Sequence, residues 1–442
     1  MKRISRIVIS VVLVVLVFSL GRLGQKYWDS QPSGAIGPYL QRPASDSISV
    51  HWRTEESVSS ALRYRPAGAD DFAELQQPQK QTQHHYRLQE LQAATEYEYQ
   101  IRNASGDYAE RYSFWTPPAS TSSKPVRLWA LGDPGVNSPL AERVRQSATQ
   151  WLEQHRRPLQ PLIDVWLTTG DNAYTSGRDR EYVSAIFKPY AQWLAQYPLW
   201  PAYGNHDDRR WAFYPIFDLP TQGESGGVPS HSESFYAFDY GPVHFIMLDS
   251  QDHADDVGGE MMSWLQRDLT ANQQPWTIVI FHHAPYSRGS HDSDDDIGSD
   301  WRMGAIREHY LPVLEGQGVD VVITGHSHVY ERSHLLAGHY GKAYTFDAGF
   351  VRDDGDGFDR YSRPEQCDEA CGTLYVVTGA SAELKGGSLD HPALPVAMAK
   401  GGSVIMEIDG PCLRGGYLGD DGVWADRYTL AKDAVECSML PE

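Results

Sequence analysis

Positive charge is scarce in this 442-residue chain: 38 lysines and arginines stand against 58 aspartates and glutamates, a formal net charge of −20. That balance disfavours wholesale binding to a nucleic-acid backbone, which depends on neutralising phosphates. Cysteine is scarcer still, at four residues. Cys367 and Cys371 sit close together, and Cys412 and Cys437 lie in the C-terminal tail. A C-x3-C pair with two scattered partners is poor zinc spacing. The even count therefore reads as two local disulfides, Cys367–Cys371 and Cys412–Cys437, in an oxidising compartment. The N-terminus lacks a bilayer-length apolar run. Lys2, Arg3 and Arg6 precede the stretch Ile7–Leu20, broken only by Ser10 and Ser19. It falls short of the roughly 20 residues of a spanning helix and suits a signal-peptide core. No A-x-A cleavage site follows, although Ser19-Leu20-Gly21 offers small residues. Residues 1–30 thus read as a cleaved signal or a retained anchor, with the rest exported to the periplasm, the medium or the outer membrane face. Internal repeats are absent, and so is extended low complexity beyond the acidic patch Asp292–Asp296. With 41% hydrophobic, 12% aromatic and 22% charged residues, disorder and coiled coil are excluded.

What is present divides the chain into two textures. Ile48, Val50 and Trp52 alternate along one face, Leu62 and Tyr64 repeat the pattern, and Tyr97, Tyr99 and Ile101 follow Ala93-Ala94-Thr95. Short alternating strands predict an antiparallel β-sandwich over residues 36–118. Its segment Leu91–Ile101 resembles the strand that carries the tyrosine corner of fibronectin type III domains, with Tyr97 as the candidate. Ala119 to Lys124 reads as a Ser/Thr-rich linker.

Residues 125–430 read differently. Apolar runs recur at Val126–Leu131, Val165–Thr169, Leu199–Tyr203, Thr277–Phe281 and Val319–Thr324. Each ends in a polar turn: GDPG, GDNAY, GNHD, HHAPY and GHSH. Helical stretches are expected between them, at Ala141–Gln154 and Glu181–Ala195. Continuous apolar strands alternating with helices predict an α/β domain, and polar clusters at strand ends mark where such folds place their sites. Strand-like runs at Leu374–Thr378 and Ser403–Ile408 close the domain. The turns supply hard oxygen donors (Asp133, Asp171, Asn205) and imidazoles (His282, His326, His328), a set suited to zinc, iron or manganese. Acidic residues from Asp353 to Asp359 lack EF-hand spacing and read as a solvated loop.

Taken together, GDPG, GDNAY, GNHD, the V-x-x-H from Val279 to His282 and GHSHVYER resemble the five blocks of the calcineurin-like metallophosphoesterases. More narrowly, they resemble the purple acid phosphatases. Gly135 stands where the wider superfamily has the His of D-x-H, and Tyr174 follows Asp171 by three residues. The resemblance implies a two-sheet α/β/β/α sandwich behind an all-β N-terminal domain. It implies a first metal held by Asp133, Asp171, Tyr174 and His328, and a second held by Asp171, Asn205, His282 and His326. Asp171 bridges the ions, roughly 3.5–4 Å apart. Fe(III) is expected in the first site as a tyrosine phenolate complex, with Zn(II), Mn(II) or Fe(II) in the second.

The implied activity is hydrolysis of phosphate monoesters by a metal-activated hydroxide. His206 is the candidate for serving the leaving group. His291, nine residues past His282, is a second candidate, although Ala284–Ser290 departs from the plant pattern. His283, Tyr330, Glu331 and Arg332 are expected to support rather than react. The expected partner is a small phosphoester. Two alternatives remain: diester or nucleotide pyrophosphate cleavage on the same core, with choice lying in loops Asp292–Asp300 and Gly349–Arg363, and a surface binding protein that uses the β-sandwich.

Overall fold

The alternation at Ile48, Val50 and Trp52 belongs to a strand much longer than its pattern. In the computed structural model, which describes residues 19–102, 106–208, 210–298, 300–364, 370–432 and 435–442, it runs over Ser47–Pro66 and absorbs Leu62 and Tyr64. Its first half pairs antiparallel with Ile36–Ala44 and its second half with Glu96–Ile101, while Ala73–Leu88 pairs along both. Register shifts between Arg53 and Ser60 bend the two long strands, so one five-stranded sheet folds back over itself. Leu40, Ile48, Trp52, Leu62, Tyr99 and Phe114 from both halves share one core. The sandwich is thus a single bent sheet. Tyr97 closes it as a tyrosine corner, its hydroxyl accepting the Gln92 N–H at 2.9 Å.

Two sheets follow. The first contains, in spatial order, Arg360–Arg363, Trp424–Lys432, Cys412–Gly419, Gly402–Asp409, Val126–Leu131, Val165–Thr168 and Leu199–Pro201. The second runs Val351–Asp353, Tyr330–Leu336, Thr373–Thr378, Val321–Gly325, Trp276–His283, Val243–Met247 and Tyr236–Tyr240, with Val396–Met398 beside Tyr330–Leu336. The strands that carry the polar turns pair in parallel within each sheet. Successive side chains point to opposite faces. Ile278, Ile280, Val321 and Ile323 accordingly join Leu128, Leu167 and Val404 in a core between the sheets. Val279, Phe281 and Val322 instead pack with Met261, Leu265 and Ile306, from helices Glu260–Ala271 and Trp301–His309. Helix Pro139–Gln154, capped by the Ser138 side chain accepting the Ala141 N–H, packs on the first sheet. The layer order is α/β/β/α.

One helix differs from expectation. Glu181–Ala195 is interrupted: Asp179–Tyr182 gives way to a π-turn over Val183–Phe187, and only Ala191–Leu194 resumes. Pro189 cannot donate to the helical ladder and clashes with the preceding turn, which forces the break. The Cys412–Cys437 disulfide is present. Cys371 is also disulfide-bonded, and its expected partner Cys367 lies outside the described residues, as do residues 1–18 of the apolar N-terminus. No described helix is long and apolar enough to cross a membrane. The N-terminal sheet meets the larger domain through a buried Arg53–Asp179 ion pair at 2.7 Å and a hydrogen bond from the Tyr99 hydroxyl to the Ala195 carbonyl at 2.8 Å.

Candidate metal centre

The five polar turns emerge from the two facing sheets and meet. Asp133, Asp171 and His326 each take up left-handed backbone just past a strand, with φ of 52°, 52° and 66°. This region is costly for residues with a Cβ and recurs where a site over-determines the chain. Two glycines make the approach possible. A Cβ on Gly204 would lie 2.3 Å from Asp171 Oδ1, and one on Gly325 would lie 2.2 Å from Asp133 Oδ1.

Asp171 divides its carboxylate between two groups. Its Oδ2 accepts the Tyr174 hydroxyl at 3.0 Å, and that hydroxyl lies 3.1 Å from His328 Nε2 and 3.5 Å from Asp133 Oδ2. Its Oδ1 lies 3.4 Å from His282 Nε2, which is 2.9 Å from Asn205 Oδ1 and 3.2 Å from His326 Nδ1. All seven expected ligands are thereby gathered. Asp133, Asp171, His282, His326 and His328 are buried, whereas Asn205 and Tyr174 are half-buried and open the centre to solvent.

The donor set fits cations. The His282 Nδ1–H donates to the Thr169 carbonyl at 2.9 Å, so Nε2 carries its lone pair toward the oxygens of Asn205 and Asp171. The two buried carboxylates have backbone N–H groups, a phenol and imidazoles as partners, with no lysine or arginine among the described ones. Buried charges of one sign call for a counter-ion. Burial opposes a charge on His282, but Asp171 and Asp133 outweigh it and raise its pKa. Burial, then the same carboxylates, push the Tyr174 phenol well above its ordinary value. A phenolate at this position requires a cation beside it. The groups Asp133/Asp171/His282, His282/His283/His326 and His291/Asp300/His326 each bring donor atoms within 4.8 Å of one another.

His206 stands at the mouth. Its backbone N–H donates to Asp171 Oδ1 at 2.8 Å, and its Nδ1 lies 2.8 Å from the Thr175 carbonyl. That contact fixes the ring. His291, half-buried, stacks on His326 with centroids 3.9 Å apart and is held by Asp300 through Nδ1 at 2.9 Å. His283 is fully buried against Ser250, and burial holds its pKa well below the usual histidine range. Arg332 and the Tyr330 hydroxyl share Asp426 at 2.6 and 2.7 Å, and Glu331 accepts from Ser287, all behind the centre.

Three supporting residues escape a reading of the motifs. Asp300 accepts from both His291 and His326, the latter at 3.1 Å, from a loop whose sequence carries no signature. Thr169 reaches His282 through its backbone carbonyl. Asp207, the last residue of GNHD, was within reach: buried, it accepts from the Gly204 and Asn172 N–H groups and the Tyr182 hydroxyl. Burial and then Asp171 push its carboxyl up to about 6. Such outer contacts orient ligands.

Residues 126–330 match the family described as calcineurin-like phosphoesterase, and residues 36–116 match the purple acid phosphatase N-terminal domain. An uncharacterized protein of Mycobacterium tuberculosis is 26% identical over 370 residues, covering 70% of this chain and 64% of its own length. Purple acid phosphatase 22 of Arabidopsis thaliana is 29% identical over 265 residues, covering 56% of this chain and 53% of its own length. The chain thus spans less than two thirds of these curated relatives. Among solved structures, the yellow lupin (Lupinus luteus) purple acid phosphatase PPD1 superposes with a TM-score of 0.69 at 19% identity, over 92% of this chain and 77% of that one. A structure of PhoD gives 0.63 at 13% identity, over 91% and 92% of the two chains. Both share the fold.

Proposed function

We propose, for a member of the purple acid phosphatase branch of the calcineurin-like phosphoesterases, the two-metal hydrolysis of phosphate monoesters outside the cytoplasm. The observation that carries this reading is Asp171, whose two oxygens each face a separate donor set. Asp133, Tyr174 and His328 would complete a first site, for Fe(III). Asn205, His282 and His326 would complete a second, for Zn(II), Mn(II) or Fe(II). Bound there, the metal pair would neutralise phosphoryl oxygens and supply a water of lowered pKa. The remaining work falls to side chains. The Thr175 carbonyl orients His206 so that Nε2 can give a proton to the departing alkoxide. His291, braced by Asp300 and stacked on His326, would orient the phosphate. The Cys412–Cys437 bridge supports an exported location.

The test is the metal content, colour and ester preference of the purified protein. Two equivalents of metal including iron are expected, with a phenolate-to-iron colour that Tyr174→Phe bleaches while the fold persists. Monoesters should be cleaved well ahead of diesters. A colourless, iron-free wild type with full activity would remove the iron assignment, and preference for diesters would remove the substrate class.

A further inference from the structure

A second convergence of imidazole and carboxylate lies away from the five turns, at the seam between the N-terminal sheet and the larger domain. His51 and His85 are directly opposed residues of the paired strands Ser47–Pro66 and Ala73–Leu88. Opposed residues leave the same face of a sheet. Their rings lie parallel, with centroids 4.4 Å apart and an interplanar angle of 11°, and Tyr39 stacks on His51 from the other side.

Both rings turn Nε2 toward one atom. Asp218, just beyond helix Arg210–Ile216 of the larger domain, presents Oδ2 at 3.2 Å from His51 Nε2 and 3.7 Å from His85 Nε2. The other carboxylate oxygen, Oδ1, is taken by Arg42 at 3.2 Å, which pins the group and leaves Oδ2 to the histidines. His85 Nε2 is otherwise 3.4 Å from the Ser49 hydroxyl, a marginal contact.

We propose that His51, His85 and Asp218 bind a divalent first-row transition ion of the zinc type. Two donors on a tetrahedral zinc, each about 2.1 Å from the ion, stand about 3.4 Å apart. The His51–Asp218 and His85–Asp218 separations of 3.2 and 3.7 Å bracket that value, and rotation of the His85 ring out of its stack on His51 would aim both Nε2 lone pairs at one ion. The His85 side chain is 48% exposed, which leaves solvent access for a fourth ligand and a route of entry. Two ligands come from the N-terminal sheet and one from the segment that begins at Asn205 and His206. The ion would therefore fasten the sheet to the stretch of chain that shapes the mouth of the active centre.

The site stands independently of the phosphatase reading, and the experiment separates the two. Full-length protein, carrying the metals with which it is isolated, is titrated with Zn²⁺ against a chromophoric chelator. Wild type should take up one equivalent more than His85→Gln and one more than Asp218→Asn. All three should keep equal iron content. Asp171→Ala, which empties the active centre, should retain the seam equivalent. Zinc-edge anomalous scattering from wild-type crystals should place that ion between the two Nε2 atoms. Equal zinc uptake by wild type and His85→Gln, or loss of the extra equivalent in Asp171→Ala alone, would overturn the assignment.

Discussion

At the scale of single residues, the argument turns on how many ions each side chain faces. Asp171 offers one oxygen to each donor set, whereas Asn205 meets only the His282 side. Asp171→Ala is therefore expected to lose both metals, and Asn205→Ala to lose mainly the second, as metal analysis of the two variants would read out. One equivalent retained in Asp171→Ala and none in Asn205→Ala would invert the assignment. His206 allows a sharper test, because its hydrogen bond to the centre comes from its backbone N–H, while its ring only packs edge-on against Tyr174. Its removal should leave both metals in place. If the ring protonates the leaving group, His206→Ala should slow an alkyl phosphate by about 10²–10⁴-fold and barely affect a nitrophenyl ester, whose leaving group needs no proton. Equal slowing of both esters would assign the ring to orienting the phosphate.

At the scale of elements, the strand-end turns are where the backbone serves the chemistry. Gly325 shows it best, since a Cβ there would meet Asp133 Oδ1 at 2.2 Å and Thr169 Oγ1 at 2.4 Å. Gly325→Ala should cost about 1–3 kcal/mol, as overpacking does, and should release the first-site metal by displacing Asp133. Chemical unfolding and iron content would measure the two effects, and an unchanged iron content would contradict the second. The turns were legible in sequence because each follows a continuous apolar strand, and because donors as distinct as Asp, Asn and His recur at the same place in each. Other elements were not legible for identifiable reasons. Ala73–Leu88 is rich in glutamine and exposed over most of its length, so it shows no apolar alternation. The break in Glu181–Ala195 follows from Pro189, but the π-turn that precedes it is a matter of packing. Asp300 and the His51–His85–Asp218 group are joined only by the tertiary fold, and spacing along the chain carries no trace of them.

At the scale of the whole molecule, two sheets must hold their separation and angle if turns from each are to meet. The flanking helices fix that geometry from outside. One connection is ionic and centred on two buried side chains: His244, on Val243–Met247, sits 2.7 Å from the half-buried Asp239 on the neighbouring strand and 2.7 Å from the buried Asp268 on helix Glu260–Ala271. Asp268 also accepts the Val228 N–H at 2.8 Å, so the triad ties strand, helix and loop together. Burial opposes a charge on His244, but the two carboxylates prevail and raise its pKa to about 9. An unfolded histidine titrates near 6.5. The native state therefore holds this proton more tightly than the unfolded chain does. The stabilisation it confers is complete below about pH 6.5 and declines as pH rises toward 9. The shift corresponds to about 3 kcal/mol. Denaturant unfolding of the metal-loaded protein should accordingly lose stability of that order between about pH 6.5 and 9. His244→Gln should be less stable than wild type at pH 6 and should lack the alkaline decline. If variant and wild type fall in parallel across the range, the proton on His244 is not what couples the sheet to its helix, and the interaction is that of a neutral imidazole.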